Sequence, residues 1–222
     1  ADVGVPYLAF AFEAPDVLHE DVPALDVLCG LLGRGRSSRL RRTLQHEMGI
    51  ASKISAGVAT YRDIGVMGIT AVGTPGTPPQ SIADGVRAEL LHLRTEPVTD
   101  AEMSKSIVRL EAGYALEHET VESVAGMLGF FELLGDFARA EEYVDLLAGV
   151  TTADLLRVAD TYLAPERMAV SAIVPEGLGR IKLRDVSSER EASHGRRRRA
   201  AKARETAALW TAPSKFTRPS LL

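Results

Sequence analysis

The sequence predicts an α+β fold, one antiparallel sheet with helices packed mainly on one face. Three observations carry that expectation. Residues 50–61 and 64–73 are strand-like runs joined at Arg62-Asp63, and a hairpin implies antiparallel pairing. The helical patterns are segregated, two before this hairpin and four or five after it, rather than interleaved one per strand. A last strand-like run, Met168 to Val174, follows the helices. The 222 residues are 45% apolar and 25% charged, a globular composition that excludes a fibrous or wholly disordered chain.

Each element has its own signal. Residues 7–13 alternate small and large apolar side chains and stop at Pro15, as a strand does. Asp21 is placed to cap a helix with Pro23 in its first turn and Leu25, Leu28 and Leu32 at helical spacing. A tight Gly33-Arg34-Gly35-Arg36 turn follows. Ser37 or Ser38 then caps a second helix, with Leu40, Leu44 and Met48 on one face and Gly49 at its end. In the hairpin, Ile54, Ala56 and Val58 form one buried face. The second strand is apolar on both faces (Ile64, Val66, Met67, Ile69, Val72), which predicts a central position. Residues 74–79 read as a loop. A helix over 81–94 buries Ile82, Val86, Leu90 and Leu93. Thr99 and Glu102 form a capping box for a long helix carrying Met103, Ile107, Leu110 and Tyr114. Two further helices span about 137–148 and 152–163, the second opened by a similar box at Thr151 and Asp154.

Charge divides the chain. Residues 1–179 hold 14 Lys/Arg against 26 Asp/Glu, whereas residues 180–222 hold 12 against 4, including Arg196 to Arg199 in a row. The reading is a globular domain over 1–177 and a basic linker or disordered tail over 178–222, too poor in apolar anchors to fold alone. Without interleaved aromatics, the tail favours a linker over a nucleic-acid contact. No apolar run approaches the roughly 18 residues that cross a bilayer, so no membrane span is expected. The single Cys29 excludes an internal disulfide and any multi-cysteine metal site, and its place on an apolar helix face makes it a structural thiol. The sequence opens on Ala with strand-like residues close behind and no basic-then-apolar leader, the pattern expected of a fragment.

Motifs for chemistry are few. Neither His-Glu-x-x-His nor its inverse is present, and the five histidines (His19, His46, His92, His118, His194) never come within 25 residues of one another. The nearest approach to a metal pattern is His118-Glu119 with Glu122 on one helical face, and two ligands are too few for a zinc site. There is no Gly-x-Ser-x-Gly elbow. Gly33-Arg34-Gly35 lacks the third glycine of a dinucleotide fingerprint and follows a helix rather than a strand. The unusual feature is Arg36, Arg39, Arg41 and Arg42 around a helix amino end, where the backbone dipole disfavours each cation by roughly 0.3–1 kcal/mol. Two readings stay open: pairing with acids such as Asp26 or Glu47, or an outward face for an acidic surface or peptide carboxylate.

The run from Asp26 to Leu40, with its glycine-rich turn and Ser37-Ser38-Arg39-Leu40, resembles the non-zinc domain of the insulinase/pitrilysin family, which includes the mitochondrial processing peptidases. Further matches follow in order: Glu47 to Ala51, Pro97 to Met103, Gly149 to Leu155, Val158 to Leu163, and Val174 to Gly177. The resemblance implies an α+β clamshell half-domain that is inactive alone. It would require a zinc-bearing homologous half, in the same longer chain or another subunit, and would help to bind an extended peptide. No cofactor is implied in this chain; zinc belongs to the partner half. The implied substrate contacts are Gly33, Gly35, Arg36, Ser37 and Ser38. Active relatives also place an Arg and a Tyr near the scissile peptide, and here those positions hold Gln45 and Ser52. Their loss implies a scaffold half rather than a direct catalytic contribution. Likeness to tandem bacterial members tilts the compartment toward the periplasm.

Overall fold

The computed structural model describes residues 3–96, 98–134, 138–179 and 181. Nearly all of the predicted basic tail therefore lies outside the described residues. These residues belong to one unit spanning 1–182.

Four antiparallel strands form the sheet: β1 (Tyr7–Ala14), β2 (Ala51–Thr60), β3 (Gly65–Gly73) and β4 (Ala169–Ile173), in the order β2-β3-β1-β4. Register follows the alternation of the sequence. Phe10 lies opposite Ile69 on one side and Val170 on the other, and Ala56 lies opposite Ile69. Leu8, Phe10, Phe12, Ile54, Met67, Ile69 and Ala71 are thereby turned to one buried face.

Helices cover that face. α1 (Val22–Gly33) is buried along almost its whole length, with Leu25, Leu28 and Leu32 fully enclosed. α2 (Pro79–Thr95) buries Ile82, Val86, Leu90 and Leu93, the predicted stripe. α3 (Asp100–Glu117) and α6 (Thr152–Tyr162) both open on the predicted capping boxes, with the reciprocal bonds formed at each end. α4 (Val121–Leu134) and α5 (Ala138–Ala148) complete the helical layer.

Four expectations are corrected. First, β3 is central by pairing but buried on one face only; Val66 is 42% exposed, because the helices leave the opposite sheet face open. Second, the helix after the glycine turn becomes a π-helix over Arg41–Glu47, closed by Met48 N–H donating to Thr43 at 2.8 Å. The wider turn keeps Leu40 and Leu44 inside but swings Met48 out to 49% exposure. Third, His118 caps the end of α3 while Glu122 starts α4, so the two do not share a helix. Fourth, the Asp21 side chain makes no capping bond; it accepts from Tyr162 at 2.8 Å and lies 2.6 Å from Arg157, tying α6 to the start of α1. Cys29 is buried, and burial pushes its thiol pKa up, which leaves it an inert packing group.

Candidate functional site

The glycine-rich turn is held from behind by α3. A Cβ at Gly33 would run into the backbone nitrogen of Ala56, so glycine there is what lets α1 lie directly on β2. Gly35, at φ +82°, turns the chain back, and Ser38 Oγ donates to its carbonyl at 2.9 Å. From α3, Ser106 Oγ donates to the Val27 carbonyl at 2.8 Å and Arg109 donates to that of Arg34 at 3.1 Å. Arg39 is buried and grips Glu102 with two bonds of 3.0 and 2.9 Å. That bidentate contact outweighs partial burial and holds the Glu102 carboxyl at about 2.

The two readings of the arginine cluster are thus divided residue by residue. Arg39 is a structural cation paired with Glu102, and Arg42 lies 3.6 Å from Glu47. Asp26, the other candidate acid, instead accepts from Tyr143 at 2.7 Å. Arg36 and Ser37 are exposed at the tip of the turn. Of the five turn residues implied as substrate contacts, Gly33 and Ser38 lie within the packing, while Gly35, Arg36 and Ser37 reach the surface.

Gln45 and Ser52 meet. Gln45 Nε2 donates to the Ser52 carbonyl at 2.8 Å, and Gln45 Oε1 accepts from Arg41 Nε at 3.1 Å. Ser52 occupies a β-bulge: Ala51 faces Gly73 and Lys53 faces Val72, which leaves Ser52 the extra residue. Its hydroxyl lies 3.1 Å from the Val72 carbonyl and 3.2 Å from that of Gly73. The π-helix and the bulge, each a departure from regular geometry, thus aim Arg41, Gln45 and Ser52 at one another. The sequence did not single out Arg41 or Glu102 for these roles. The i,i+4 spacing of Arg41 and Gln45 was a readable signal for the first.

The groups so arranged are a guanidinium, an amide and hydroxyls, suited to holding peptide carbonyls or carboxylates. Zinc has no home among them. Among the described residues no three His, Cys, Asp or Glu side chains come together. One His–carboxylate pair, His19 and Asp21 at 3.7 Å, has Asp21 engaged by Tyr162 and Arg157.

Comparison with known proteins bears on the family. Residues 1–110 match the peptidase M16 inactive domain. Over those residues the chain has the pattern of that family. The relatives point the same way. The chain is 28% identical over 160 residues to the zinc protease PqqE of Helicobacter pylori, covering 72% of this chain but 36% of that one. It superposes on a crystal structure of a protease from Helicobacter pylori with a TM-score of 0.73 at 26% identity, covering 78% of this chain and 42% of the other. It shares its fold, at a TM-score of 0.71 and 20% identity, with an inactive peptidase domain of a Bordetella parapertussis protein, covering 79% of this chain and 95% of that one. The chain therefore spans about a third of PqqE and under half of the Helicobacter pylori structure.

Proposed function

We propose that this chain is the metal-free wall of a zinc endopeptidase, silent alone and completed by a zinc-bearing homologous half. The observation that carries the reading is the junction of the π-helix with the bulged start of β2. It presents Arg41, Gln45 and Ser52 where the family resemblance expects an Arg and a Tyr beside the peptide. Arg41, bonded to Gln45, keeps a guanidinium at this junction. Arg36 and Ser37 at the exposed turn tip add donors for a second stretch of an extended peptide. The chain's role is to bind and align substrate, while proton transfer and zinc chemistry belong to the other half. The likeness to part of PqqE, a zinc protease of more than twice this matched length, supports a companion domain.

A second reading rests on one observation. Gln45 donates to the Ser52 carbonyl and the Ser52 hydroxyl bonds to the backbone of β3, so both are engaged within the chain, as residues of a purely structural partner would be. Cross-linking separates the two. A photoreactive phenylalanine analogue at Ser37, in the chain assembled with a zinc-bearing half, is expected to label an unstructured peptide. Labelling of the companion protein alone would favour the structural reading.

A further inference from the structure

A cavity of about 330 Å³ opens among α1, α3, α4 and α5. Tyr114, Phe130, Phe131 and Tyr143 make an aromatic part of its wall, the arginines Arg34 and Arg139 stand in another part, and Asp26 enters from the middle of α1. The size fits a small-molecule site, and the lining sets apolar and aromatic surface beside charged and polar groups. Asp26 is the unusual member, a carboxylate on a helix otherwise buried nearly end to end. Its Oδ2 accepts from Tyr143, and no other hydrogen bond reaches the carboxylate among the described residues. Arg34 acts on it through charge alone, and burial outweighs that pull. Arg34 lines the cavity but forms no ion pair with Asp26, and Arg139 donates to the Leu18 carbonyl at 3.0 Å. His118 donates through Nδ1 to the Tyr114 carbonyl at 2.6 Å, and its ring packs on that of Tyr114 at 4.1 Å. The Tyr114 hydroxyl is committed to the Ala140 carbonyl.

We infer that this cavity binds a small organic ammonium ion with an aromatic or branched apolar body, the ammonium paired with Asp26 and the body held among the rings of Tyr114, Tyr143, Phe130 and Phe131. Aromatic rings favour such cations doubly, through burial of the body and through attraction of the charge to the ring faces. Burial pushes the Asp26 carboxyl up to about 6, so it is ionised at neutral pH yet poorly solvated, the state an incoming ammonium relieves.

The test uses the full chain at pH 7 and isothermal titration with three probes of one shape: 2-phenylethylammonium, 2-phenylethanol and 3-phenylpropionate. The ammonium is expected to bind saturably with a Kd near or below about 1 mM. The alcohol should bind about tenfold more weakly, and the carboxylate more weakly still. Asp26→Asn, isosteric and still able to accept from Tyr143, should reduce the ammonium to the level of the alcohol. Leu146→Trp, which fills the cavity from α5, should abolish binding of every probe. Three results would each overturn the inference: no saturable ammonium binding up to about 10 mM, carboxylate binding that equals or exceeds that of the ammonium, or unchanged ammonium affinity in folded Asp26→Asn.

Discussion

The Gln45 side chain donates to the backbone carbonyl of Ser52 at 2.8 Å, joining the π-helix to the bulge that opens β2. The contact sits where the family resemblance expects a guanidinium and a phenol, and both of the residues present are smaller and uncharged. Restoring the larger pair, Gln45→Arg with Ser52→Tyr, replaces a closed contact with two donors that reach outward. In an assembly with a zinc-bearing half acting on an unstructured peptide, kcat should rise by about tenfold or more, with less change in KM. Ser52 is exposed and Gln45 half-buried, so thermal unfolding should move by only a few degrees. An unchanged kcat in a well-folded double variant would remove these positions from the substrate wall.

Gly33 offers a test of the turn itself. If its glycine serves the packing of α1 on β2, Gly33→Ala should cost about 3 kcal/mol in chemical denaturation, from the collision with Ala56. Gly57, further along the same strand, has open space where a Cβ would stand, and Gly57→Ala should stay within about 0.5 kcal/mol. Equal effects at the two sites would contradict the packing role.

Glu102 couples the turn to pH. Its carboxyl is held at about 2 in the fold against an ordinary 4.5, so its contribution is present above 4.5 and is lost as pH falls toward 2. Glu102→Gln leaves the buried Arg39 without its anion and should cost about 1–3 kcal/mol at pH 7. The partial exposure of Glu102 places the expected value toward the lower end. Urea titrations of both proteins should converge as pH approaches 2. A gap independent of pH would mean that the Arg39 pair is not its source.

How much could be read from the sequence follows from what each signal encodes. The strands and most of the helices were legible because Phe10, Phe12, Ile54 and Ile69 alternate, while Ile82, Val86, Leu90 and Leu93 recur at helical spacing. The capping boxes at Thr99 and Thr151 marked helix starts because they are local chemistry. Met48 was misplaced because helical spacing assumes 3.6 residues per turn, and the π-helix over Arg41–Glu47 does not keep it. Val66 looked buried because an apolar side chain does not record whether anything covers it. The candidate site was legible only by resemblance. Periodicity carries no information on the Ser52 bulge or on Arg39 pairing with Glu102 from 63 residues away, and only the i,i+4 spacing of Arg41 and Gln45 hinted at their contact.

Reconstituted peptide cleavage tests the central claim most directly. The purified chain, a separately purified zinc-bearing half, and their mixture are each incubated with an unstructured fluorogenic peptide, with and without a chelator. A metal-free wall predicts no turnover by the chain alone, little by the zinc half, and chelator-sensitive turnover by the mixture that saturates at one chain per half. Turnover by this chain alone, or a mixture no faster than the zinc half by itself, would contradict the account.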